Sequence, residues 1–261
     1  MFSNQSANLR KIPIFAGMDR EKVKDILVRY GIATVGLVFV ALGVALSIIS
    51  NLGTAPLSCP SYVLNLKWPV LSVGTFTLLV NMTYLIIQYA LLRKDFKAKY
   101  LMQIPASAIF GYLIDGCLWA LGWLHPETFA FRVFLTVLAA LVTAFGVSIE
   151  VAANAWMLSA EMTVGAISQV FKKSFSGVKI VMDSLTVVIA AALAWVFFAN
   201  PFGHGAYTGL ADVLLARTEG IVIGLGTILL AFLPGWMMRL TDPWVARLLK
   251  GRSGKSGCTP Q

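Results

Sequence analysis

Four of the 12 acidic residues, Asp115, Glu150, Glu161 and Asp183, fall within or beside long uncharged stretches. A carboxylate taken out of water is costly, and within a membrane such a residue is a functional candidate by default. Glu150 stands about one turn before Asn154, and Glu161 follows in a segment of broken helical character. Together they would bind a cationic group or take up a proton to couple transport. The structural alternative is that Glu161 caps a short helix and Glu150 meets a watery interface. Asp183 follows Lys179 by four residues, the spacing of a local ion pair. Asp115 sits among glycines that permit close helix packing, with Arg29 or Lys179 as its expected partner. Asp115, Asp183 and Lys179 are therefore ion-pair or proton-coupling candidates.

Amides and a proline complete the set. Asn51 and Asn154 stand at helix ends, where they would contact substrate or brace a break. Pro56 lies in the break after Asn51. Asn81 would face a central cavity, or join Gln88 and Gln103 in interhelical hydrogen bonds. The expected solute site comprises Asn51, Pro56, Asn81, Glu150, Asn154 and Glu161.

The elements that hold these residues follow from composition. Apolar residues make up 58% of the 261-residue chain and charged residues only 13%. An ordinary soluble domain carries roughly 25% charge. A helix needs roughly 20 apolar residues to cross the hydrocarbon. The uncharged runs predict an all-α membrane protein of six transmembrane helices, near 31–50, 70–92, 102–124, 132–153, 178–199 and 219–239.

The net charge is +9, and its distribution carries a topology. Basic residues fill the N-terminal segment, the second loop (Arg93, Lys94, Lys97, Lys99), the fourth (Lys172, Lys173, with Lys179) and the tail. Only Lys67, Arg132 and Arg217 fall elsewhere. The positive-inside rule then puts both termini in the cytoplasm. No nucleic-acid partner is needed to explain the basic excess.

Sliding the chain by 103 positions aligns Ala41-Leu42-Gly43-Val44 with Ala144-Phe145-Gly146-Val147. It also aligns Asn51 with Asn154, Gly74 with Gly177 and Thr83 with Thr186. Glu150 takes the position of Ser47, and Glu161 falls close to that of Pro56. Farther on, Gly122 meets Gly226 only after a slip of one residue. Three helices per half would turn the second half over, which gives two inverted repeats. The expected organisation is a cytoplasmic segment 1–29 with an amphipathic helix, repeats at 30–128 and 129–240, and a cytoplasmic tail 241–261.

Each half is interrupted after its first helix. Asn51-Leu52-Gly53-Thr54-Ala55-Pro56 has the glycine and proline that break a helix, yet its continuation stays apolar. Its mate runs from Asn154 to Gly165. Both read as re-entrant segments that approach each other at mid-membrane, or else as interfacial loops with short amphipathic helices. Non-helical backbone at that depth needs protein or a watery cavity to satisfy it.

Enzyme chemistry is not expected. His125 and His204 lie in outer loops, and no hydrolase, metalloprotease, phosphate-loop or dinucleotide motif occurs. Cys59, Cys117 and Cys258 lack metal-ligand spacing, so neither metal nor cofactor is implied.

The order Gly43…Asn51-Leu52-Gly53-Thr54-Ala55-Pro56, Gly74…Asn81 and Pro105…Gly111…Asp115 resembles the YczE/YyaS/YitT family of bacterial integral membrane proteins, closest to its YczE branch. The resemblance covers roughly residues 28–240. It implies a multi-pass plasma-membrane protein of the transporter kind, with no settled substrate or site. The residues point first to a secondary transporter or exporter of a small solute. A channel on the same repeat, or a non-transporting accessory or scaffold protein, are the alternatives. Six helices make a small carrier, for which a homodimer is plausible.

Overall fold

The computed structural model of the protein describes residues 20–93, 98–153, 158–173, 175–203, 220–233 and 237. Their regular elements are helical, with one isolated backbone bridge between Gly203 and Ile221. The helices are α1 (Arg20–Ser50), α2 (Cys59–Lys67), α3 (Val73–Leu92), α4 (Gln103–Ala120), α5 (Phe129–Ala153), α6 (Ser159–Phe171), α7 (Phe175–Phe198) and α8, at 225–233.

Five of them are long and apolar enough to cross a membrane: Leu27–Ser50, Val73–Leu92, Tyr100–Ala120, Phe129–Glu150 and Gly177–Phe198. The sixth expected span, 219–239, is described only in part. Most of the expected N-terminal segment 1–29 lies outside the described residues, which begin at 20. No glycine or proline interrupts Arg20–Tyr30, so α1 runs through as one helix of 31 residues.

Local chemistry fixes the ends. α1 stops where Asn51 adopts φ 51°, and Gly53 follows at φ 118°, a conformation that only glycine takes without strain. The backbone freed by this break is satisfied from the segment before α8. Thr54 N–H donates to Val222 O at 2.9 Å, Gly226 N–H to Leu52 O at 2.7 Å, and Ile221 N–H to the Asn51 side-chain oxygen at 3.0 Å. Such pairing is what broken backbone requires at membrane depth. α3 begins at Ser72, whose hydroxyl accepts from Thr75 N–H at 3.1 Å.

The most extensive pairing is α1 with α5. Glycines let their backbones touch. A Cβ on Gly43 would meet Thr143 and, at 3.0 Å, the carbonyl of Ala139. A Cβ on Gly146 would meet the carbonyl of Gly36 and Val40, each at 2.8 Å. Shifting by 103 turns 43 into 146, 36 into 139 and 40 into 143. The two contact sets are thus one set with the helices exchanged.

Other pairings come in the same exchanged couples. α2 packs on α3 and α7, and α6 packs on α7 and α3. The two short helices meet these neighbours at opposite ends. Cys59 and Val63 of α2 cluster with Ala190 and Ala194 late in α7, whereas Gln88 late in α3 bonds Ser159 at the start of α6. Likewise α1 packs on Phe110 and Ile114 of α4, and α5 on Leu230 and Met237. The slipped match of Gly122 with Gly226 does not survive. Gly122 lies in the turn after α4, whereas Gly226 lies in the first turn of α8, against Leu52 and Gly53.

Candidate functional site

α3 supplies a polar stripe to the core. Thr77, Asn81, Tyr84 and Gln88 recur at helical spacing and are all buried. Gln88 and Gln103 form a reciprocal amide pair, with both N–H···O contacts at 3.0 Å. The same Gln88 amide donates to Ser159 O at 2.8 Å and Thr163 Oγ1 at 3.0 Å. This network pins the start of α6 onto α3 and α4. It carries out the interhelical bonding expected of the two glutamines.

The fixed start of α6 places Glu161 in its first turn, where the helix dipole favours negative charge. Around it three other ionisable residues converge. Glu150, near the end of α5, lies within electrostatic reach of Glu161. Lys179 and Asp183 of α7 lie within reach of it as well. Lys179 and Asp183 form the expected ion pair at 3.4 Å. Tyr84 closes the group: its hydroxyl is 3.1 Å from Thr186 Oγ1, one turn after Met182 on the Asp183 helix. Thr186 gives its own proton to Met182 O at 2.8 Å, so Tyr84 is the donor in that contact.

Glu150 is the least conventional member. It is only 1% exposed, and neither carboxyl oxygen has a hydrogen-bond partner among the described residues. Its side chain packs against Gly36, where a Cβ would come within 2.8 Å of Glu150 Cγ. Buried polar groups in proteins are almost always bonded. A fully enclosed acid beside a second acid therefore marks a place where a proton or a cation belongs. Among the described residues the cluster holds three carboxyl groups and the ammonium of Lys179.

A cavity of about 470 Å³ adjoins Asp183. It lies between α7 and the start of α8, and Pro56 of the first break forms part of its wall. Most of its lining is aliphatic or aromatic. Among the described residues, Asp183, Ser184 and Thr227 are the polar ones on its wall.

The structure thus brings Glu150, Glu161, Lys179 and Asp183 together, with Pro56 on the cavity beyond. Asp115 takes another position: Gly74 N–H donates to its Oδ1 at 2.8 Å, at the start of α3 and far along that helix from Gln88. The bond expected with Lys179 is made by Asp183. Asn51 serves the break, as its bond to Ile221 shows. Asn81 is buried one turn before Tyr84. Asn154 lies outside the described residues. Each short helix packs on both α3 and α7. Tyr84, Thr163 and Thr186 are site-side residues that charge and spacing did not single out. The polar stripe on α3 is the signal that carried Tyr84. Among the described residues no group of histidine, cysteine and acidic side chains is arranged to hold a metal ion.

Fold and site together define a helical protein of membrane type with a cluster of acids between its helices, of which Glu150 is fully buried. The chain belongs to a family of unknown function, DUF6198, whose model matches residues 27–243. No curated protein and no solved structure matches it.

Proposed function

We propose that the chain is a secondary transporter or exporter of a small solute in the bacterial plasma membrane, with both termini cytoplasmic. The observation that carries this reading is the convergence of Glu150, Glu161, Asp183 and Lys179 inside the helix bundle. Placing charge there is expensive, and binding or coupling is the established use of such groups.

The architecture supports it. The exchanged contacts of Gly43 and Gly146, and the paired packing of α2 and α6 on α7 and α3, are what two inverted repeats about an axis in the membrane plane would produce. Alternating access then rocks one repeat against the other. The resemblance to the YczE/YyaS/YitT family agrees with this class. A carrier is favoured over a channel by the enclosure of Glu150 and by the close backbone contact of α1 and α5, which favour a closed centre.

The test begins with a thermal-shift screen of the purified protein against metabolites, because a ligand stabilises the state it binds. Flux of the hits into proteoliposomes follows. Glu161→Gln is expected to abolish or uncouple flux while leaving the protein folded. Flux unchanged by that substitution would refute the role of Glu161.

A further inference from the structure

Resting on that reading of the acid cluster, we propose that the solute is an amphiphilic organic cation, held with its apolar body in the cavity between α7 and α8 and its positive group at Asp183. The cavity volume of about 470 Å³ suits one molecule of drug size. Its walls are built from Ile180, Val187, Val188, Ile223, Ile228 and Phe232, among others. Such walls reward an apolar body by removing it from water or headgroups.

One end of this apolar space is charged. Asp183 has its Oδ2 on Lys179 at 3.4 Å, longer than a close charge-assisted contact, and its Oδ1 has no partner among the described residues. Glu161 lies within electrostatic reach of Asp183, and Glu150 within reach of Glu161. Carboxyl groups outnumber the ammonium of Lys179 at this end, which disfavours anions. A bare inorganic cation would leave the apolar walls unused, and a neutral hydrocarbon would leave Asp183 unused. Only a molecule with both features matches both surfaces.

The route of access also fits. Ile180, Val188, Ile228 and Phe232 are 58 to 67% exposed and stand on the outer side of the helices. In a bilayer they meet acyl chains. An amphiphilic cation partitions there first and reaches the cavity sideways. Thr227 does not compete for it, since its hydroxyl donates to Val222 O at 3.1 Å and accepts from Gly224 N–H at 3.3 Å.

The probe is tetraphenylphosphonium, a permanent cation of apolar body, with tetraphenylborate as its anionic counterpart of the same shape. Full-length protein in phosphatidylcholine nanodiscs is titrated by equilibrium dialysis. Saturable binding that tetraphenylborate does not displace is expected. Asp183→Asn is expected to weaken it by about tenfold or more, the loss of a contact to a charged group. Lys179→Gln removes the competing ammonium and is expected to tighten it several-fold. Ala231→Trp, which fills the cavity, is expected to abolish it with thermal unfolding unchanged. Non-saturable uptake, displacement by tetraphenylborate, or a Lys179→Gln variant that binds more weakly would each overturn the proposal. Saturable binding with this pattern but no flux of the probe in proteoliposomes would leave the site standing and remove the transport reading. Glu161-dependent flux of a solute without positive charge would do the reverse.

Discussion

The close backbone contact of α1 with α5 can be tested one methyl group at a time. Gly146→Ala puts a Cβ 2.8 Å from the Gly36 carbonyl and from both the backbone nitrogen and Cγ2 of Val40. Ordinary contacts begin at 3.4 Å, so the helices must part by about 0.6 Å at their crossing. The nearest atoms are mostly backbone, which no rotamer change can move. Overpacking of this kind costs about 1–3 kcal/mol. Gly36→Ala and Gly43→Ala meet the same obstruction from the facing helix and are expected to fall in the same range. Gly116 and Gly165 supply the opposite control, because a Cβ at either finds nothing within 4 Å. There alanine gains helix propensity, about 0.5–1 kcal/mol. Reversible unfolding in mixed micelles, followed by circular dichroism, measures both. Gly146→Ala as stable as Gly116→Ala would refute the contact and, with it, the exchanged pairing on which the repeat rests.

Other outcomes follow from the polar contacts. Gln88→Leu strands the Gln103 amide, while the Ser159 carbonyl keeps its donor in Thr163, and is expected to cost about 1–2 kcal/mol. Adding Gln103→Leu should recover part of that loss, and a double-mutant cycle reads the coupling. Asp115→Leu removes the acceptor of Gly74 N–H at the start of α3 and is expected to destabilise the protein by about 1.5–3 kcal/mol, whereas Asp115→Asn keeps an acceptor and costs less. Asp115→Asn is also expected to leave probe binding unchanged, because Asp115 lies outside the acid cluster. Single cysteines at Lys172 and Glu127 in a chain lacking its native cysteines are expected to react with a membrane-impermeant maleimide from the cytoplasmic and the outer side respectively. The reversed pattern would overturn the orientation read from the basic loops.

The spans were legible because solvation by lipid is a composition signal. A run without charge, such as Ser184–Ala211, needs no knowledge of its neighbours to be recognised. The break after Asn51 was legible for a similar reason, since Gly53 and Pro56 act on their own backbone. The Lys179–Asp183 pair was legible because both partners share one helix turn. The rest depends on chain segments far apart in sequence. Tyr84 meets Thr186 across a separation of 102 residues, and nothing local to either residue announces the other. Asp115 shows the opposite failing: an acid in an apolar helix reads as chemistry, but here it satisfies the start of a neighbouring helix. The cavity beside Asp183 exists only because α7, α8 and the first break leave space between them, which no pattern of spacing encodes.

Positions related by the 103-residue shift share the packing of α1 and α5 but not chemistry. At the positions 103 earlier, Glu150 corresponds to Ser47, Glu161 to Ser58, Asp183 to Val80 and Lys179 to Phe76. Ser47 is as buried as Glu150, yet its hydroxyl is satisfied by Val44 O at 2.7 Å. The charged groups therefore belong to α5, α6 and α7, while the first half offers Tyr84, Gly36 and the wall at Pro56. If the halves exchange roles during transport, as proposed, the exchange cannot create a second equivalent site. It can only carry one site between two exposures. A chain so built binds one cation at a time, and a homodimer binds two, one within each subunit. Titration of the nanodisc sample is expected to give one probe per chain. A value of two per chain would mean that the half with Ser47 and Ser58 binds as well, and the charge cluster would then not be what selects the solute.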